Sequence, residues 1–110
     1  MDNPVTTDTI LDWLRERVEA KQPIPQEAWA DAGFKLNILL AGEHEEMERL
    51  HSVVSNKKLG IMQAQEKRNV AAADLEISAS EDYRLMKLQE HRVARIEEFI
   101  KLAKKQMSQY

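Results

Sequence analysis

A chain of 110 residues, 43% apolar and 32% charged, holds enough material for one domain and sits at the low end for burying a core alone. It has no cysteine, which excludes a disulfide framework and a thiolate metal site. The formal charge of -3 divides unevenly, since residues 1–50 carry eleven acids against five bases and residues 51–110 carry eight acids against eleven bases. With only 5% aromatic residues and three each of glycine and proline, the Ala, Leu, Glu, Lys and Arg content reads as long helix rather than sheet. The N-terminal residues have neither a basic region nor an apolar run, and no stretch approaches membrane-span length, so a cytoplasmic protein away from membranes is expected.

Thr6, Thr7 and Asp8 precede an apolar-periodic run and supply N-cap oxygens for a short helix over 7–20. Ile10, Leu11, Leu14 and Val18 give it one apolar face, with Trp13 at the margin. Lys21-Gln22-Pro23 ends it, because proline disfavours helical geometry in the residue before it. Pro25 suits a helical first turn, where a missing N–H costs nothing, and opens a long helix over 25–76. Apolar residues from Trp29 to Leu40 are denser than one stripe requires. Gly33, at a cost of about 1 kcal/mol in helix propensity, favours a bend or brief break there, which leaves two readings, one helix over 25–76 or two joined at Gly33.

Past an acidic cluster of Glu43, Glu45, Glu46 and Glu48, the residues Leu40, Met47, Leu50, Val54, Ile61, Ala64, Ala71 and Leu75 form a heptad seam. Ser78-Ala79-Ser80-Glu81 has capping-box spacing and marks a turn. A final helix over 79–107 follows, with a seam of Met86, Gln89, Val93, Ile96, Ile100, Ala103 and Met107, widened by Tyr83, Leu85 and Phe99. A short connection demands an antiparallel neighbour. Reversal near Ile77 and Ser78 sets Val54 against Ile100 and brings Met107 level with about Glu48. Residues 25–47 would then lie beyond the last helix, to be covered by the first helix or by a second copy. The expected fold is all-α: one domain over 1–110, a short N-terminal helix followed by a long, coiled-coil-like antiparallel hairpin, dimerising into a bundle.

Two charged patterns bear on chemistry. Glu48-Arg49-Leu50-His51, with Glu45 one turn earlier, matches the Glu-x-x-His pattern of di-metal bundles. Such sites need that pattern on two helices; His91 has Leu88 where the glutamate should stand. No metal or cofactor is therefore expected, and a solvated face is the favoured reading. Arg92, Arg95, Lys101, Lys104 and Lys105 make the last helix basic, as a phosphate-tracking surface would be. The hairpin register sets Lys101 to Lys105 near Glu45, Glu46 and Glu48, so charge complementarity between the helices is favoured over nucleic acid. Lys57, Arg68 and Gln89 interrupt the seams and are read as register-setting, with Lys57 near Glu97 and Glu98. Trp13 and Trp29 are read as packing residues where the first helix meets the second. Neither a glycine-rich phosphate loop nor a Ser-His-Asp or Cys-His set occurs, so no enzyme is expected.

Leu59, Met62, Leu85, Leu88 and Leu102 lie off or beside the seams and would form an exposed apolar strip, larger than monomers usually leave in water. A two-fold dimer of hairpins buries such a strip twice. At Glu81-Asp82-Tyr83-Arg84 and Arg95-Ile96-Glu97-Glu98-Phe99-Ile100-Lys101-Leu102-Ala103-Lys104-Lys105 the chain resembles small helical proteins encoded by bacteriophages and prophages. The resemblance implies a phage origin and a helical hairpin and carries no catalytic residue with it. The expected function is that of a non-enzymatic helical interaction or scaffold protein, a phage accessory factor, acting as a homodimer or on a protein partner. The alternative is a nucleic-acid-associated accessory protein using the basic last helix.

Overall fold

In a computed structural model that describes residues 6–108, the chain is all-α. Its elements are α1 (Thr7–Glu19), α2 (Gln26–Ala64), α3 (Val70–Ser78) and α4 (Glu81–Ser108), with no strand among the described residues. Thr6 caps α1: its hydroxyl accepts the Thr9 N–H at 3.3 Å, and the Thr9 hydroxyl accepts the Thr6 N–H at 2.9 Å. At the other end Lys21 adopts φ 54, while its N–H donates to Val18 O at 3.1 Å and the Gln22 N–H donates to Arg17 O at 2.9 Å. This is the left-handed stop usually given to glycine. Val18, in the last turn of α1, is exposed, unlike Ile10, Leu11 and Leu14.

Helix α2 follows the continuous one of the two readings at Gly33 and departs from expectation at its C-terminal end. It runs unbroken through Gly33, with Pro25 O accepting the Trp29 N–H at 3.1 Å as the first link. Gly33 has a packing role instead, because a Cβ placed there would stand 3.0 Å from the Ala103 Cβ of α4. The helix then stops at Ala64, well short of residue 76. Gln65 Oε1 accepts the Asn69 N–H at 2.9 Å and Gln65 Nε2 donates to Asn69 O at 3.2 Å. Asn69 Oδ1 in turn accepts the Ala72 N–H at 3.0 Å and caps α3. Side chains that satisfy backbone groups locally compete with helix continuation, and here they prevail. α4 starts at Glu81 rather than 79, and its cap is Ser80, whose Oγ accepts the Tyr83 N–H at 3.2 Å and donates to Ile77 O at 2.6 Å. Ser78, expected to be the cap, donates to Leu75 O instead.

The described residues pack as two compact units. One takes the residues up to Gly42 together with those from Ala94 on. Its core joins Ile10, Leu11 and Leu14 of α1, Trp29, Ala32 and Leu36 of α2, and Ile96, Ile100 and Ala103 of α4. Each large side chain so buried contributes about 1.5–3 kcal/mol relative to exposure. The pairing of α2 with α4 is antiparallel here, since Gln26 Nε2 donates to Met107 O while Gly33 lies against Ala103. The start of α2 is thus covered by α4 as well as by α1, which corrects the expectation that the last helix falls short of it.

The other unit is Glu43–Val93. Its core is Leu50 and Val54 of α2, Ile77 of α3 and Met86 of α4, with Ile61 and Tyr83 packed against it. Val54 therefore shares a core with Met86 and not with Ile100. Because α3 is a separate helix, Ala73 and Ile77 set which way it faces, and the seam expected through Ala64, Ala71 and Leu75 is exposed, Leu75 to 74%. Partners of α2 in this unit sit roughly two to three heptads earlier on α4 than reversal at Ser78 would place them. Glu43 meets Gln89 and Arg92, His51 meets Glu90, and Lys57 meets Asp82.

Candidate functional site

Polar contacts in the Glu43–Val93 unit form a ladder between α2 and α4. Glu43 Oε2 accepts from Arg92 Nε at 2.7 Å and from Gln89 Nε2 at 2.9 Å, and Gln89 Nε2 also reaches Glu43 O at 3.0 Å. The carboxylate is largely buried, so a charge-assisted partner is what makes its position tolerable. His51 Nε2 lies 2.9 Å from Glu90 Oε1, and Lys87 Nζ lies 3.2 Å from the other Glu90 oxygen and over the Tyr83 ring. The Glu90 carboxylate, with help from Tyr83, holds the Lys87 ammonium above the usual lysine range. Lys57 pairs with Asp82 at 3.1 Å, not with Glu97 or Glu98, and Lys58 pairs with Asp74 of α3 at 2.5 Å. These contacts fix the register of the two helices within this unit.

The Glu-x-x-His pattern comes to nothing convergent: Glu45 and Glu48 are exposed, while His51 is engaged by Glu90. Among the described residues no group of three or more acidic or histidine side chains is placed to hold a metal. The basic residues divide. Arg92 is held by Glu43, whereas Arg95, Lys101, Lys104 and Lys105 are exposed. Of the groups expected to complement one another, Glu46 pairs with Arg49 on its own helix, and Lys104 lies beside Gly33, Phe34 and Asn37.

The apolar strip is also redistributed. Leu59, Leu85 and Leu88 are exposed to 48%, 39% and 52%, and Met62 is half-buried. Leu102 instead packs against the core of its unit, alongside Phe99. The largest exposed apolar pair is one that periodicity passed over: Phe34, 67% exposed, and Ile38, 61%, one turn apart on α2. Their signal was present in the crowding of apolar residues between Trp29 and Leu40. That crowding reflects two stripes on an unbroken helix, one facing the core and one facing solvent, rather than a bend. Beside Phe34 lies a groove of about 220 Å³ between α2 and α4, floored by Ala30, Gly33, Ile100 and Ala103 and edged by Asn37, Lys104 and Met107. A second cleft, of about 290 Å³, opens where Trp13 and Ile10 of α1 meet Ala28 and Ala32 of α2. Trp29 is buried in the core and Trp13 packs against it, with Arg17 4.8 Å above the Trp13 ring.

No helix among the described residues is long and apolar enough to cross a membrane. Compared with known proteins, the chain matches no family model, no curated sequence and no solved structure.

Proposed function

We propose that this is a non-enzymatic helical interaction protein that works through exposed helix faces, in keeping with the accessory role that its resemblance to phage-encoded helical proteins implies. The observation that carries the reading is Phe34 with Ile38, two large apolar side chains more than half exposed on a helix whose other side buries Trp29, Ala32 and Leu36 in the core. Solvent-facing apolar residues in register along a helix are what a second helix needs in order to dock. A photo-crosslinking amino acid at position 38, irradiated in the cells that encode the protein, should yield protein adducts that the same probe at exposed Gln63 does not. Adducts equally frequent at both positions, or absent at both, would remove the reading.

A second reading rests on Arg95, Lys101, Lys104 and Lys105, exposed cations on α4 that no acidic side chain among the described residues engages. They suit a phosphate backbone, and such binding weakens steeply with salt. Titration with duplex and single-stranded nucleic acid at low and at physiological salt distinguishes this from a protein partner.

A further inference from the structure

Resting on that interaction reading, we infer that the groove beside Phe34, between α2 and α4, receives an acidic amphipathic helix of another protein, one apolar side chain seated between Phe34 and Met107 and a carboxylate one turn away on Lys104. The groove lies within a single compact unit. Its floor is apolar and closely set, because Gly33 has no side chain and the Ala103 Cβ would stand only 3.0 Å from one. Phe34 and Met107 line it from the two helices, 67% and 44% exposed. A volume of about 220 Å³ falls below the roughly 300–1,000 Å³ of small-molecule pockets and suits one large side chain. Ile38, exposed one turn past Phe34, offers a second apolar contact at the spacing with which a docked helix presents its anchors.

Charge selects the kind of helix. Lys104 edges the groove, with Lys101 one turn before it and Lys105 next to it, three exposed cations that no acidic side chain among the described residues engages. The nearby acids are occupied: Asp31 holds Lys35 at 2.7 Å, and half-buried Glu97 has its own partner within the chain. Glu27 is exposed at the end where Gln26 meets Met107, so the partner's carboxylates belong toward Lys104 and Lys101. Acids placed there gain attraction at contact and a faster encounter, and suppress basic competitors. A phosphate backbone would use the lysines and leave the apolar groove unfilled.

The test is selection of a displayed library of helical peptides on the immobilised full chain, followed by fluorescence anisotropy with the selected peptides. Selection should enrich two apolar residues one turn apart, flanked by Asp or Glu. F34D should abolish binding of these peptides and K104E should weaken it about fivefold or more, both with unchanged circular dichroism, whereas L59D should alter nothing. Repeated on the K101E/K104E double variant, selection should return basic peptides in place of acidic ones, an inversion that a structural effect of the lysines does not produce. Acidic peptides whose binding F34D leaves intact, or a double variant that still selects acids, overturn the inference. Nucleic acid bound through Lys104 with no peptide selected overturns it in favour of a phosphate partner, and a dimer that F34D dissociates in sedimentation makes a second copy the occupant. Peptides that need Phe34 but carry no charge preference overturn it while leaving the interaction reading in place; that reading falls separately, with the adducts at position 38.

Discussion

Gly33 of α2 and Ala103 of α4 approach so closely that a methyl group on the glycine would meet the alanine Cβ at 3.0 Å. Neither atom belongs to a flexible side chain, so relief requires the two helices to move apart. Gly42 and Gly60, on the same helix, have nothing within 4 Å of such a methyl group. Gly42→Ala and Gly60→Ala should therefore each stabilise the protein by up to about 1 kcal/mol, the helix-propensity difference. Gly33→Ala should fall clearly below both, and Ala103→Gly should recover part of the deficit in the double variant. Equal gains at all three glycines in thermal melts would show that the close approach has no energetic weight.

Leu36 and Ile38 are two residues apart on one helix, the first fully buried and the second 61% exposed. Leu36→Ala should cost about 2–5 kcal/mol through lost burial and the cavity left behind. Ile38→Ala should stay within about 0.5 kcal/mol at concentrations where the chain is monomeric. Urea titration of the two variants measures the difference, and comparable losses would invalidate the assignment of an inner and an outer stripe.

Lys21 holds a left-handed backbone at the end of α1. A non-glycine residue there pays roughly 1–2 kcal/mol, part of which glycine returns as chain entropy in the unfolded state. Lys21→Gly should raise the melting temperature slightly and leave the helix content unchanged. A lower melting temperature would mean that the lysine side chain makes up for its own strain.

A hydrogen bond from the Arg84 guanidinium holds the Glu81 carboxyl below its ordinary value of 4.5, and Arg49 does the same for Glu46. A lowered folded value means that the stabilisation is complete above 4.5 and disappears as pH falls through the lowered value. Both pairs are exposed, so the effect on stability is small and is best read directly. NMR titration should find both glutamates ionising below 4.5, with Arg84→Ala and Arg49→Ala returning them to it. Unshifted titration in the parent protein would mean that the pairs are not held in solution.

Much of the architecture was legible because amphipathic period and cap chemistry are local. The seam of α4 emerged with Met86, Val93, Ile96, Ile100 and Ala103 buried, and Thr6, Ile10, Leu11 and Leu14 behaved as their spacing implied. What escaped was decided by contacts between distant residues or by small competing bonds. Gly33 looks like a helix breaker until Ala103 stands against it. The heptad seam continues arithmetically through Ala64, Ala71 and Leu75, and only the reciprocal bonds of Gln65 and Asn69 show that the backbone does not follow it. Once the helix stops there, partners on α4 shift, which is why Lys57 meets Asp82 and not the glutamates assigned to it. The Phe34 and Ile38 face stayed hidden because a dense apolar run has two explanations, and only an unbroken helix turns half of it outward.

One of the two compact units is a single uninterrupted stretch, Glu43–Val93, whereas the other is assembled from segments on either side of it. Bringing distant segments together costs loop-closure entropy that grows with the chain between them. The contiguous unit needs only the short closures at 65–69 and 79–80, while Gly33 cannot find Ala103 until everything between has been gathered in. Folding should therefore be ordered, with Leu50, Val54 and Met86 consolidating first and shortening the effective loop that Leu36 and Ile100 must close. Pulse-labelled hydrogen exchange should protect the amide of Val54 before that of Leu36; the reverse order would mean that α1 and the start of α2 nucleate the chain instead.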